Sequence, residues 1–428
     1  MNIAAHPKHD SYKDSGIDWI GEVPTSWSVE PGRQCLYESK EKNIGMKEST
    51  VLSLSYGKVI VKDEEKLTGL VPESFETYQV VQPGDIIIRG TDLQNDMTSL
   101  RTGLARDTGI ITSAYINLRP KAQIHPKFLH YLLHSYDVKK VFYALGSGLR
   151  QNLSFEDFKY LRLPIPATHE QRAIVAFLDG KCATIDEAVR IKEEQITLLR
   201  ERRQILIQQA VTRGLNPSAP MKDSGIDWIG QIPAHWEVRR GKHLFREVNE
   251  RSEDGAEELL SVSHTTGVTS RSEKNIYMFM AEDYTGSKLC RPGDVVINTM
   301  WAWMGALGVS DLTGIISPSY GVYRPLHEGA FNRRFLEWHL RTTHFIERYN
   351  KISTGLHSSR LRLYPHMFLG LPMAMPSRDE QDAIVAQVES EAGKIEKAIS
   401  IKGNQIDALK EYKTSLINAA VTGKIKVT

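Results

Sequence analysis

Two stretches of the chain carry apolar residues at alternating four- and three-residue steps. The first seam runs through Leu178, Cys182, Ile185, Val189, Lys192, Ile196, Leu199, Arg203, Leu206 and Ala210. This is the seven-residue period of a helix that buries one stripe against another helix. The second seam repeats the phase at Val388, Ala392, Ile395, Ile399, Lys402, Ile406, Leu409, Lys413, Leu416 and Ala420, with cations at the same two steps. A capping-box pattern after a proline predicts each start, Thr168-x-x-Gln171 and Ser377-x-x-Glu380, one residue out of register with each other. Gly214 and Gly423 are the predicted stops. About 44 residues at a rise of about 1.5 Å make each helix roughly 65 Å long, more than a globular domain needs internally. The doubled seam predicts that Leu178, Ile185, Val189, Ile196, Leu199 and Leu206 pack against Val388, Ile395, Ile399, Ile406, Leu409 and Leu416 as an antiparallel coiled-coil pair. Lys192 and Lys402 read either as register-setting groups or as side chains snorkelling to water.

The chain also repeats itself outside the helices. Lys13-Asp14-Ser15-Gly16-Ile17-Asp18-Trp19-Ile20-Gly21 returns unchanged from Lys222 to Gly230, and Pro24 and Trp27 return as Pro233 and Trp236. Pro83-Gly84-Asp85 with its apolar run returns as Pro292-Gly293-Asp294, a turn feeding a buried strand. Glu170-Gln171 matches Glu380-Gln381, and Ala210-Val211-Thr212 matches Ala420-Val421-Thr422. Between these anchors the copies diverge, as Val51 to Gly69 against Leu260 to Thr285 shows. A common scaffold carrying two unlike inserts suits two units that each read something different.

This pattern predicts an α/β (α+β) protein with an internal pseudo-two-fold duplication and four parts. Residues 1–167 and 216–376 form globular domains, while 168–215 and 377–428 form long spacer helices. The duplication is expected to throw the globular parts to opposite ends of a rigid spacer. With 41% hydrophobic and 25% charged residues the chain has a globular composition. It lacks an apolar run long enough for a membrane helix and opens without the apolar core of a signal peptide, so a cytoplasmic location is expected. Three scattered cysteines suggest neither a disulfide framework nor a zinc site.

No phosphate-binding glycine loop, glycine-rich cofactor loop or Asn/Asp-Pro-Pro-aromatic motif is present, so neither ATP hydrolysis nor methyl transfer is expected of this chain. Neither catalytic residues nor metal ligands are assigned. Asp85 and Asp294 read as turn residues, because neither is followed by the acid-x-Lys partner of a nuclease. The pattern favours binding over catalysis.

A net charge of +2 is small for a general nucleic-acid binder. The divergent segments are only mildly basic, with 18 Lys/Arg against 16 Asp/Glu over Val29 to Pro164 and 17 against 14 over Arg239 to Pro365. Within them, side chains suited to reading bases bunch together: arginine forks for guanine, and amides for adenine. In the first copy these are Arg89, Thr91, Gln94, Arg101, Arg106, Ser147, Arg150, Gln151 and Asn152. In the second they are Asn298, Trp301, Trp303, Thr354, His357, Ser358, Ser359 and Arg360, where the tryptophans could stack on bases. Each taken singly also reads as a solvated turn residue, and the tryptophans as partly buried core.

Taken together, the repeated KDSGIDWIG-x-x-P-x-x-W opening, the Pro-Gly-Asp turn, the Leu-Pro lead into Glu-Gln and the closing Ala-Val-Thr resemble the specificity subunits of type I restriction-modification systems over practically the full length. The Leu-Pro to Glu-Gln interval is longer in the second copy than in the first. The resemblance implies two target-recognition domains that read a bipartite, asymmetric site in double-stranded DNA, with the helices as a ruler between them. It further implies two modification (methyltransferase) subunits and restriction (motor-nuclease) subunits as partners. No cofactor is then expected in this chain; S-adenosylmethionine, ATP and Mg belong to the partners. The competing reading is a coiled-coil adaptor that binds proteins and has no DNA specificity.

Overall fold

The computed structural model describes residues 3–63, 74–96, 98–146, 152–273, 283–355 and 361–427. The chain divides into two compact units, one of residues 1–193 with 403–428 and one of residues 194–402. Both long helices are continuous, Thr168–Arg213 over 46 residues and Arg378–Val421 over 44. Each unit therefore takes part of one helix and the complementary part of the other.

In the first unit the opening motif folds as a hairpin, Tyr12–Asp14 against Glu22–Pro24. Ser28–Pro31 pairs with Arg162–Ile165 at the lead into the long helix. The centre is a four-stranded antiparallel sheet in the order Leu36–Glu38, Ile116–Pro120, Ile86–Ile88 and Thr102–Leu104. Its middle strand Ile86–Ile88 is buried throughout, as its unbroken apolar run requires. The helix Pro126–Val138 inserts Phe128, Leu129, Leu132, Leu133 and Tyr136 into a core shared with Leu178, Cys182, Ile185, Leu416 and Val421.

The second unit has the hairpin Met221–Asp223 with Gln231–Pro233, and the pair Glu237–Arg240 with Pro372–Met375. Its central sheet runs Phe245–Glu247, Gly321–Pro325, Val295–Ile297 and Leu307–Val309. Two shorter helices, Arg333–Leu340 and Thr343–Ile352, stand where the first unit has one. Ile207, Ala210, Val211, Ile384, Val385 and Val388 join its core.

The helix seam is antiparallel within each unit. In the first, Lys413 Nζ lies 2.7 Å from Asp186 and Lys192 donates to Gln405 at 2.7 Å. In the second, Arg203 lies 3.6 Å from Glu396 and Lys402 donates to Gln195 at 2.6 Å. Exposed pairs of this kind stabilise by about 0–1 kcal/mol each, so they fix register more than they add stability. The twelve hydrophobic seam residues expected at the interface are all buried or half-buried. Leu198, Ile205 and Ile401 lie off the seam and are more than half exposed.

The repeated motifs turn out to be joints of the scaffold. Trp27 Nε1 donates to Glu170 at 3.0 Å and Trp236 Nε1 to Glu380 at 3.1 Å, each tying the opening motif to the first turn of a long helix. Gln171 accepts from His125 N and donates to the Pro166 carbonyl, while Gln381 accepts from Asn332 N and donates to Pro376. The capping-box expectation is corrected in the first copy, where Thr168 is already helical and its hydroxyl turns to Gln123 O. In the second copy Ser377 does precede the helix and its Oγ accepts from Glu380 N, while the Glu380 side chain goes to Trp236 and His235.

The closing Ala-Val-Thr segments also serve differently from their order in sequence. Val421 and Gly423 close the first unit, where a Cβ on Gly423 would run into the Pro24 ring. Val211 and Gly214 close the second, beside Trp236 and Glu380. Asp85 takes both branches of Arg119 at 2.7 and 2.8 Å, and Asp294 takes Arg324 at 2.8 Å twice. Both aspartates are thus occupied in bracing the turn. The three cysteines are buried and free, and burial pushes the Cys35 and Cys290 thiols up to about 11. Among the described residues no helix is long and apolar enough to cross a membrane.

Candidate nucleic-acid interface

In each unit one loop joins the last two strands of the central sheet, and some of the sequence-predicted side chains lie on or beside it. The first-unit loop spans residues 89–101, between Ile86–Ile88 and Thr102–Leu104. Arg101 lies beneath it, fully buried. Its guanidinium donates from Nε to Tyr143 Oη at 3.1 Å, from Nη1 to the carbonyls of Arg89 and Thr91 at 3.2 and 2.8 Å, and from Nη2 to those of Asp92 and Asp96. All five N–H groups of the fork are thereby used. Arg101 N donates to Asp137 at 2.5 Å, and burial raises the Asp137 carboxyl above the usual range. Arg101 therefore shapes the loop from below and does not reach outward to a base, which corrects its expected role.

Above this anchor stand Arg89, Thr91 and exposed Gln94. Asn152 joins them, its side-chain oxygen accepting from Asp92 N at 3.0 Å. Asp92 adopts φ +59° and accepts from Asn95 at 2.7 Å. Asp96 is held down to about 2, first by Ser99, and pairs with Arg89 at 3.4 Å. Arg106 is exposed but lies past the opposite end of the strand Thr102–Leu104, so it does not join this group. Ser147, Arg150 and Gln151 lie outside the described residues.

The second-unit loop, residues 298–306, is four residues shorter, because Ile297 pairs with Leu307 where Ile88 pairs with Thr102. Trp301 N donates to Asn298 O, Met304 N to Trp301 O, and Asn298 N to Ala306 O, each at 3.0 Å. Gly305 closes the turn at φ +83°, pressed against Ile346. Asn298 is buried, with Nδ2 donating to Tyr320 Oη at 3.0 Å, so it too serves the scaffold and its expected contact to DNA is corrected. Trp301 is exposed and Trp303 half-buried, their rings 5.9 Å apart and 23° from parallel.

Thr354 is exposed and exchanges two backbone hydrogen bonds with Arg362. His357, Ser358, Ser359 and Arg360 lie outside the described residues. The register also shows what sequence reasoning missed. Leu153 N donates to Gly90 O at 2.7 Å, and Leu363 N to Thr299 O at 3.0 Å, so Arg362 occupies the place of Asn152 beside its own loop. The signal was the shared leucine that follows both residues. Met300 and Met304, flanking the tryptophans, were also missed.

Residues 101–197 match the family described as type I restriction modification DNA specificity domain. That stretch is similar to a type I specificity domain. Across a longer span the chain is 23% identical over 338 residues to the type I restriction enzyme MjaVIII specificity subunit of Methanocaldococcus jannaschii, covering 74% of this chain and 75% of that protein. It is likewise 23% identical over 244 residues to the putative type I restriction enzyme MjaX specificity subunit of the same organism, covering 54% and 55% respectively.

Two solved structures share the fold. One, from work on complex assembly and conformational transition of the type I R-M system, superposes with a TM-score of 0.64 at 17% identity, covering 93% of this chain and 98% of that one. The other, the HsdS subunit from Thermoanaerobacter tengcongensis, gives 0.52 at 16% identity, covering 94% and 98%. The matched specificity domain takes in Arg101, its loop anchor Asp137, and the long helix as far as Thr197. The matched domain and these relatives thus make the chain similar to type I restriction enzyme specificity subunits, and the two solved structures share its fold.

Proposed function

We propose that the chain is the non-catalytic specificity subunit of a type I restriction-modification complex, reading a bipartite, asymmetric site in double-stranded DNA. The observation that carries this reading is the pair of sheet loops, 89–101 and 298–306, set on the same strands of two similar sheets and furnished with unlike side chains. Unlike furnishings on like frames suit two readers of two different half-sites. The four-part division into two target-recognition domains and two spacer helices, related by an approximate two-fold axis, belongs to the same reading.

The long helices act as the ruler between half-sites. Their exposed Leu198, Ile205 and Ile401 offer an apolar face to the modification subunits. S-adenosylmethionine, ATP and Mg belong to the modification and restriction subunits. The small net charge of +2 fits a division of labour in which partners supply phosphate contacts and this chain reads bases.

Co-expression with its genomic neighbours, followed by mapping of adenine methylation across host DNA, tests the reading. A split, non-palindromic motif that vanishes when this chain is omitted is expected; no dependent motif points instead to a protein-binding adaptor. Adding one heptad to both helices, at Ile196 and Lys402, lengthens the ruler by about 10 Å, so the spacer in the mapped motif should grow by about three base pairs.

A further inference from the structure

We propose that Trp301, flanked by Met300 and Met304, is an apolar base reader of the second unit that packs against the 5-methyl group of a thymine. The inference rests on the proposed function and specifies the chemistry by which one of the two loops reads. Met300, Trp301 and Met304 are 37%, 48% and 38% exposed on a single turn. Large apolar side chains gathered at a loop tip are unfavourable in water unless something covers them.

The tip is also held in one shape. Trp303 Nε1 donates to Met300 O at 3.0 Å, its ring lies against that of Trp301, and Gly305 backs the turn onto Ile346. A reader fixed before binding loses little entropy when it docks.

The register selects DNA as the occupant. Counting from the equivalent bonds at Gly90 and Thr299, Trp301 stands where the first unit has Asp92, in a loop whose outward groups are Arg89, Gln94 and Asn152. Arg362, in the place of Asn152, is exposed and has no carboxylate partner among the described residues. An apolar tip with a cation beside it matches a base edge flanked by phosphate. A protein partner would ordinarily need about 800 Å² on each side, far more than three half-exposed side chains offer. Among major-groove edges, thymine alone presents a methyl group, and apolar side chains read it by contact.

The test uses the full chain in complex with its modification subunit and duplexes carrying the mapped site. Each thymine is replaced singly by uracil, which removes only the methyl group. In wild type, one replacement in the second unit's half-site should weaken binding roughly fourfold, about the worth of one buried methyl. In Trp301→Ala the same replacement should have no further effect, and Trp301→Phe should restore part of it. Replacements in the other half-site should respond equally in all three proteins.

Matched melting temperatures would show that the variants fold. The inference is overturned if every uracil in that half-site is silent in wild type, if the half-site has no thymine, or if the loss persists undiminished in Trp301→Ala. Release of the modification subunit by Trp301→Ala with base preference intact would also overturn it, by making the tip a protein surface. Absence of any sequence preference in wild type would instead remove the specificity reading itself.

Discussion

The loops 89–101 and 298–306 solve one structural problem in two ways. Both must leave the same strand, project side chains, and return to the neighbouring strand. The longer loop leaves its carbonyls pointing inward and satisfies them with one buried guanidinium, Arg101, using all five of its donors. The shorter loop needs no buried charge, because it closes on its own backbone bonds and on a stacked pair of tryptophans. The first arrangement leaves polar groups outside, the second apolar ones. A scaffold can therefore be kept nearly constant while the chemistry presented by its loops changes, provided that each loop brings its own internal support.

The largest expected effect lies where that support is a buried charge. Arg101→Met removes a donor from four carbonyls and from Tyr143, leaving those of Arg89 and Thr91 worst served because Asp92 O still accepts from Asp96 N and Asp96 O from Tyr143 Oη, and should destabilise the first unit by about 3–5 kcal/mol in denaturant melts. Lys at this position should recover little, since it cannot fork. No single side chain in the second loop should cost as much; a comparable loss on Trp303→Ala would break the contrast.

A second asymmetry lies at the closing glycines, both in left-handed conformation. Gly423→Ala drives a methyl into the rigid ring of Pro24, whereas at Gly214 the nearest atom is the movable Glu380 carboxylate at 3.2 Å. Thermal melts should show about 2–3 kcal/mol lost in the former and about 1 kcal/mol in the latter.

The units should behave alike toward acid. Burial pushes His339 down to about 4, while burial together with His134 and Arg106 pushes His130 down to about 3. Each stays neutral in the folded chain while its unfolded counterpart gains a proton below about 6.5. Stability contributed by the neutral imidazoles is therefore full above about pH 6.5 and falls as the pH drops toward 4, by up to about 1.4 kcal/mol per pH unit for each group. His339→Gln should flatten that dependence in the second unit, as followed by melts across this range. The smallest effect is expected at Arg89→Gln, which removes a partly exposed pair with Asp96. Less than about 1 kcal/mol of stability should change, while base preference in the first half-site relaxes.

Much of this architecture was legible in the sequence because periodicity and repetition are written locally. The heptad seam announced both long helices. The Pro-Gly-Asp turn and the repeated Trp and Glu announced scaffold before their partners were known. What could not be read was long-range. Nothing near Arg101 in sequence distinguishes a buried fork from an exposed one, since its acceptors are carbonyls that only the folded loop turns toward it. Asn298 was misplaced for the same reason, its partner Tyr320 lying on a connection that only the sheet brings near. Sequence order also hides that an antiparallel helix pair gives each helix's end to the other unit.

The central claim, that each unit reads its own half of a split site, is tested most directly by exchange. Residues of about 30–160 would be replaced by those of a relative with a different motif, and adenine methylation mapped in cells that also express the partner subunits. The account predicts that one half-site changes to the relative's sequence while the other half and the spacer stay as they were. A change in both halves, or in neither, would contradict it.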